Sequence, residues 1–326
     1  KFKAVVIDNQ NEKFTRDIKE IEKNQLKDGN VLVKVDYSSL NYKDALILND
    51  GGKIVRKFPF VPGIDVAGEV IESSSDIFKV GDKVIATGYK IGMKVFGGFG
   101  ELVQLPAEWV VPLPENLSLK DAMSFGTAGL TAGACIKKII RAGIPKNMPV
   151  IVSGSTGGVG SVAVNLLSKL DYDVHAITGK PEEKDILLKM GAKEVISRNE
   201  YMRDPVKPLD KGIYAGGVDT VGGDILAKMI SMISNHGAIS CCGNVGGMKF
   251  TSSVFPFILR GVSLIGIDSA ESELEFKKDI WNLFANEWSL NLDTYTRALP
   301  LNDLDGEISR ILEGKQVGRV VIKHEV

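Results

Sequence analysis

Cysteine and histidine are scarce: three of each in 326 residues. Cys135, Cys241 and Cys242 cannot build a disulfide framework. The adjacent pair falls in a predicted buried strand, where sulfur serves packing. His175, His236 and His324 do not cluster in sequence and suggest no metal centre. No stretch approaches the roughly 20 apolar residues of a membrane span. The first apolar run, at 4–7, is interrupted by Asp8 and is too short for a secretion signal. Net charge is also lacking, at −1 with a pI near 6.4, so there is no global basic field for nucleic acid or an anionic membrane. Repeats and low-complexity tracts are missing too. What is present is ordinary for a globular chain: 44% hydrophobic and 25% charged residues, with length enough for two cores. The expected compartment is the cytoplasm.

One stretch organises the rest. Val150, Ile151 and Val152 form a short apolar run of the kind a buried parallel strand presents. A glycine-dense turn follows, Ser153-Gly-Ser-Thr-Gly-Gly-Val-Gly160, and then Val162, Leu166 and Leu170 recur at helical spacing. Strand, glycine turn and helix together are the context in which such glycines mean dinucleotide binding. Gly157 would let the backbone approach a pyrophosphate, Gly160 would let helix pack on strand, and the free N–H groups of the helix would face the phosphates. Ser155, Thr156, Gly158 and Val159 complete the predicted phosphate turn. The pattern departs from G-x-G-x-x-G at its first position, which is Ser155.

Before this stretch the chain is β-rich. Short apolar or alternating runs at 4–7, 31–35, 66–71, 80–86 and 102–105 are separated by turn signals at 27–30, 62–63, 80–82 and 97–98. No helical crossovers intervene, which predicts a barrel-like antiparallel domain with a short helix near 43–48. A helical stretch over 118–142, broken near Gly126-Thr-Ala-Gly129, leads into regular alternation. Strands are expected at 150–152, 174–178, 194–197, 217–221, 238–242 and 262–267, with helices near 161–170, 181–190 and 224–234. That is the βαβ order of a doubly wound, Rossmann-type parallel sheet. A helix near 303–312 and a last β-run at 319–323 close the chain. The terminal strand needs a partner, and the β-rich domain is the natural one. The α/β domain, 123–289, is therefore expected as an insertion between 1–122 and 290–326.

The choice of nucleotide is read at the end of the second strand. A unit selective for NAD carries an Asp or Glu there to accept from the ribose 2′-hydroxyl. Here the sequence is Thr178-Gly179-Lys180. A hydroxyl, a bare backbone and a positive charge suit a 2′-phosphate, and Arg198 after the third strand could reach the same group. The alternative is that Lys180 and Arg198 are solvated surface charges. NADPH is the expected cofactor.

This organisation resembles the medium-chain dehydrogenase/reductase superfamily over essentially the whole chain, its β-rich half being GroES-like. Ser38-Ser-Leu-Asn-Tyr-Lys-Asp44, Pro62-Gly-Ile-Asp-Val-Ala-Gly68, Gly126-Thr-Ala-Gly129, Asp219-Thr-Val-Gly222 and Pro256-Phe-Ile-Leu-Arg260 are similar to the zinc-free acrylyl-CoA reductase branch, also labelled quinone-oxidoreductase-like. The resemblance implies an NADPH-dependent homodimer. Zinc-dependent relatives have Cys where this chain has Asn41, and Gly-His-Glu where it has Gly63-Ile64-Asp65. Asparagine and isoleucine do not make a tetrahedral zinc site, so no metal is expected.

The resemblance also implies that Tyr42 lies beside the nicotinamide as the catalytic candidate, and that Thr127, Asn244, Ile258 and Ser269 line the cofactor cleft. Asp44 is a weaker candidate, useful if it holds a partner in place. The implied activity is reduction of the activated C=C bond of a short enoyl thioester, of the acrylyl-CoA to propionyl-CoA type. Hydride would go to the β-carbon and a proton to the α-carbon. A quinone or small enone is the alternative acceptor, and a cofactor-binding protein without turnover is a third reading. Lys53, Arg56 and Lys57 could meet the phosphates of coenzyme A or could simply be solvated.

Overall fold

The computed structural model describes residues 1–10, 13–27, 29–51 and 53–325. Asp28 of the expected 27–30 turn and Val326 of the expected terminal segment lie outside the described residues. The chain forms two compact units, 1–127 with 270–326, and 128–269.

In chain order the first unit begins with β1 (Phe2–Gln10) and β2 (Lys13–Ile21), an antiparallel pair. β3 (Val31–Ser39), α1 (Tyr42–Asp50), β4 (Asp65–Ser73), β5 (Lys83–Thr87), β6 (Leu102–Leu105) and β7 (Val110–Pro112) follow. The expected run at 80–86 starts at Lys83, because Val80 is exposed and Gly81 takes a positive φ of 94° in the preceding turn. α2 (Leu119–Arg141) is broken at Gly126, as the sequence predicts, with φ 53° and ψ −158°.

The second unit continues with β8 (Val150–Val152), α3 (Gly158–Lys169), β9 (Val174–Thr178), α4 (Lys184–Lys189), β10 (Glu194–Ser197), α5 (Arg198–Tyr201), β11 (Tyr214–Asp219), α6 (Gly223–Ser231), β12 (Ile233–Cys241), α7 (Phe255–Arg260) and β13 (Ser263–Gly266). Its strands form one parallel sheet in the order β10-β9-β8-β11-β12-β13. The order reverses between β8 and β11, the switch point beside which ligands bind in open α/β sheets. Ile151, Ile177, Met229, Ile230 and Ile239 belong to the core cluster around this sheet.

The chain returns to the first unit with α8 (Leu274–Ala285), β14 (Thr296–Pro300), α9 (Leu304–Leu312) and β15 (Arg319–Lys323). β15 pairs antiparallel with β3 and parallel with β14, so the terminal strand finds the partner expected of it. The units divide at 127/128 and 269/270, whereas the expected insertion was 123–289. The difference comes from α8. Its Phe284 stacks on Phe125 at 4.1 Å, and its buried Lys277 donates to Thr87 O and Ala270 O at 2.8 Å each. The helix therefore belongs to the unit whose core it fills.

Candidate functional site

The glycine turn is built from the end of β8. Gly154 takes φ 59°, and Ser155 turns its hydroxyl inward to Val152 O at 2.9 Å. The positive φ that the missing first glycine would supply is thus carried one residue earlier. Gly157 caps α3, and a Cβ on Gly160 would lie 2.2 Å from Gly154 O. No side chain fits there, so helix and turn approach as the pattern predicts. The first N–H groups of α3 have no acceptor within the helix and point outward from its start.

Beside this turn stands the end of β9. Thr178 Oγ1 accepts from Lys180 N at 3.0 Å, and Lys180 Nζ donates to Thr156 Oγ1 at 3.2 Å. Burial holds the Lys180 ammonium below its ordinary pKa, with Glu183 and Glu182 pulling it back up. The Arg198 guanidinium lies against Gly179: a Cβ there would stand 3.3 Å from its Cζ. Ser155, Thr156, Gly157, Gly158, Val159, Thr178, Gly179, Lys180 and Arg198 therefore lie where β8, β9 and β10 end. A lysine, an arginine and two threonine hydroxyls make a donor set that fits a phosphate monoester and offers a ribose 2′-hydroxyl no carboxylate.

A second lining lies at the ends of β12 and β13. An open depression of about 530 Å³ is lined by Cys241, Cys242, Gly243, Asn244, Gly266, Ile267 and Asp268. Asn244 is part of this lining. Ser269 follows directly, and its hydroxyl is 2.6 Å from Thr131 Oγ1. Ile258 is not in this lining; it is 69% exposed on α7, beside the exposed Leu259. Sequence reasoning used Asp219 only as part of a family motif, but it organises this region. Its buried carboxylate accepts from Ser153 Oγ at 2.7 Å, Gly222 N at 2.9 Å and Val221 N at 3.2 Å. It thereby ties the glycine turn after β8 to the turn after β11.

In the first unit, Tyr42 is the first residue of α1 and is exposed. Beneath the helix start lies a buried charged network. Asp44 accepts from Asn41 N at 2.9 Å, Asn41 Nδ2 at 3.0 Å and Ile64 N at 2.9 Å. Asn41 Nδ2 also donates to Asp65 Oδ2 at 2.8 Å, and Asn41 Oδ1 accepts from Arg319 Nη2 at 3.2 Å. Asp65 further accepts from Ser39 Oγ and from both the amide and hydroxyl of Thr127. Arg319 is buried and donates to Ser124 O and Leu40 O. Asn41 and Asp65 are thus engaged with a guanidinium and hydroxyls.

Burial, then the neighbouring Asp65, push the Asp44 carboxyl up to about 7, against the pull of its hydrogen bonds. Desolvation also lowers Arg319, while Asp65 and Asp44 raise it. Asp44 holds Asn41 and the Ile64 backbone in place. Arg319 was not foreseen. A buried arginine in a terminal strand looks like a surface charge until the strand's partner is known. Thr127 belongs to this network through Asp65.

Two family models match the chain: the alcohol dehydrogenase GroES-like domain over residues 27–115 and the zinc-binding dehydrogenase domain over 158–286. The acrylyl-CoA reductase AcuI of Ruegeria pomeroyi is 40% identical, the match covering 98% of each chain. YhfP of Bacillus subtilis, whose name is that of a quinone oxidoreductase, is 42% identical over 94% of each. The crystal structure of YhfP with NAD bound superposes with a TM-score of 0.96 at 41% identity, covering 99% of both chains. The Salmonella enterica yhdH oxidoreductase in complex with NADP superposes at 0.95 and 37% identity, covering 99% of this chain and 100% of that one. The fold and these relatives define a medium-chain dehydrogenase/reductase. Within that superfamily the chain belongs to the zinc-free branch that holds the acrylyl-CoA reductases and the YhfP-type quinone oxidoreductases, and it is an oxidoreductase.

Proposed function

We propose that the protein is an NADPH-dependent reductase of a short α,β-unsaturated thioester of the acrylyl-CoA type. The observation that carries the cofactor half is the cluster of Lys180, Arg198, Thr156 and Thr178 around Gly179, with no carboxylate at the end of β9. The substrate half is supported by the likeness to the Ruegeria acrylyl-CoA reductase.

In this reading the turn 155–159 and the start of α3 hold the pyrophosphate. Lys180, Arg198 and Thr178 hold the 2′-phosphate. Asn244 and Ser269 are assigned to the nicotinamide end. Bound NADPH supplies the hydride that the β-carbon receives. Tyr42 donates a hydrogen bond to the thioester oxygen as negative charge gathers there, which favours the enolate over the substrate. Asp44, Asn41 and Arg319 fix the backbone from which Tyr42 projects. Lys53, Arg56 and Lys57, all exposed on the loop after α1, are assigned to the phosphates of coenzyme A.

The deciding experiment compares kcat/KM for acrylyl-CoA with that for a benzoquinone, NADPH being the reductant in both. A higher value for the thioester supports the proposal. A higher value for the quinone moves the protein to the second reading, which the name of the Bacillus relative favours. NADPH binding with no turnover of any activated alkene would leave a cofactor-binding protein.

We also infer a homodimer in the cytoplasm. β13 ends the parallel sheet, and Val254, Phe255, Ile258 and Leu259 expose a patch of apolar surface, which supports burial against a second copy. Among the described residues no helix is long and apolar enough to cross a membrane. Light scattering on the purified protein tests the dimer, and a monomer mass would refute it.

A further inference from the structure

Asp219 ends β11, one of the two strands that flank the switch point of the sheet, and is fully buried. Three donors meet its carboxylate. Ser153 Oγ and Val221 N reach Oδ1 at 2.7 and 3.2 Å, and Gly222 N reaches Oδ2 at 2.9 Å. A fourth group orients the serine: Thr220 N donates to Ser153 Oγ at 2.9 Å and leaves the hydroxyl proton for Asp219. Thr220 Oγ1 donates in turn to Ser153 O at 2.9 Å, and a Cβ on Gly154 would lie 2.3 Å from that hydroxyl. The main chain of Asp219 reaches a third loop. Its carbonyl accepts from Cys242 N at 3.0 Å and from Cys242 Sγ at 3.4 Å. Gly243 then passes so close that a Cβ on it would lie 1.9 Å from Thr220 O, and Gly246 N donates to Val221 O at 2.8 Å. One residue thus joins the turn after β8, the turn after β11 and the loop after β12. The last of these lines the depression through Asn244.

We infer that Asp219 is a positioning residue for the dinucleotide. It holds the glycine turn and the loop 242–247 in one fixed arrangement, and so presets the pyrophosphate and nicotinamide ends of the site before NADPH arrives, an assignment that rests on the proposed function. Loops ordered in advance spare the entropy that binding would otherwise lose in ordering them. The 2′-phosphate end depends on Asp219 much less. Lys180 follows β9 and Arg198 follows β10, both on the far side of β8 from β11.

A carboxylate suits this task because Ser153, Val221 and Gly222 all present donors, and an ionised carboxyl only accepts. An amide in its place offers one oxygen and one NH2 group, and the NH2 would confront either the Gly222 N–H or the serine and Val221 donors. The charge itself is no help to the cofactor, since a negative group behind the turn opposes phosphate. Burial pushes the carboxyl above its ordinary range, while the bonds from Ser153, Gly222 and Val221 pull it back down. What the carboxylate contributes is therefore the geometry of its acceptors, which fixes two turns at once.

NADPH is compared with adenosine 2′-phosphate, which carries the 2′-phosphate but neither the pyrophosphate nor the nicotinamide. Both are titrated calorimetrically into the full-length wild type, Asp219→Asn and Ser153→Ala. Asp219→Asn should lower NADPH affinity about tenfold or more, the scale of one broken hydrogen bond to a charged group. Its affinity for adenosine 2′-phosphate should stay that of the wild type. Ser153→Ala keeps the carboxylate and removes one donor, so it should show the same split with a smaller loss; it decides the matter if Asp219→Asn does not fold. A purely structural aspartate would lower the urea midpoint and leave NADPH affinity alone, and a general loosening of the unit would weaken both nucleotides equally. Either result would overturn the inference. A wild type that does not bind NADPH would refute the functional reading, and the positioning role with it.

Discussion

Replacing Lys180 with methionine should separate the two nicotinamide nucleotides. Methionine keeps the length of the side chain and removes only the ammonium. That ammonium is half-buried against Thr156 Oγ1 at 3.2 Å, and desolvation lowers its pKa. It is thus partly stripped of water before any phosphate arrives, and a dianion at that point restores its lost solvation. A hydrogen bond to a charged group contributes about 1.5–3 kcal/mol. NADPH affinity should therefore fall by roughly ten- to 150-fold. Arg198 is exposed, so Arg198→Met belongs at the low end, with a loss of about tenfold. NADH lacks the phosphate and should bind either variant as it binds the wild type. Isothermal titration of both nucleotides against all three proteins measures this. Equal losses for NADH and NADPH, or equal affinity for the two in the wild type, would refute the reasoning.

Tyr42→Phe removes one hydroxyl and little volume. If the hydroxyl acts on the developing enolate, kcat and kcat/KM fall together; a wild-type kcat would take Tyr42 out of the mechanism. Activity should survive exhaustive chelation, and stoichiometric zinc whose removal abolishes turnover would contradict the metal-free assignment. Arg319→Met leaves Asp65 and Asp44 buried without their cation and should cost about 3–5 kcal/mol in urea unfolding. A loss below 1 kcal/mol would mean that the network does not depend on the guanidinium.

His324 is buried, and desolvation lowers it from 6.5 to about 4. The unfolded chain then binds the proton more readily, so stability falls as pH drops from 6.5 through 4, by at most about 3 kcal/mol. Asp44, raised to about 7, acts in the opposite sense: its contribution is complete below pH 3.8 and is lost as pH rises through 7. His324→Gln should flatten the acid limb of the stability profile and Asp44→Asn the alkaline limb; unchanged limbs would contradict both assignments.

Much of the α/β unit is legible in the sequence. Val150–Val152, Val174–Thr178 and Glu194–Ser197 were predicted with the bounds the structure gives them. A parallel strand is buried on both faces, so its apolar run and its turn residues are written locally. β2 was missed because Lys13–Ile21 is largely exposed, and its sequence, KFTRDIKEI, carries no sustained alternation. α8 was missed for a related reason: it packs on Phe125 and Thr87, far from it in sequence, so nothing local shows where it docks.

The sequence by itself determined the nucleotide turn, the absence of an acid at Gly179 and the replacement of zinc ligands by Asn41 and Ile64. Each of these is a matter of which residue stands at which spacing. Tertiary structure decided the rest. It brought Arg319 from the last strand to Asn41 and joined Ser153 to Asp219. Those pairs are separated by 278 and 66 positions in the chain. Hydrogen-bond distance between such partners depends on strand order and register, which only the folded sheets establish.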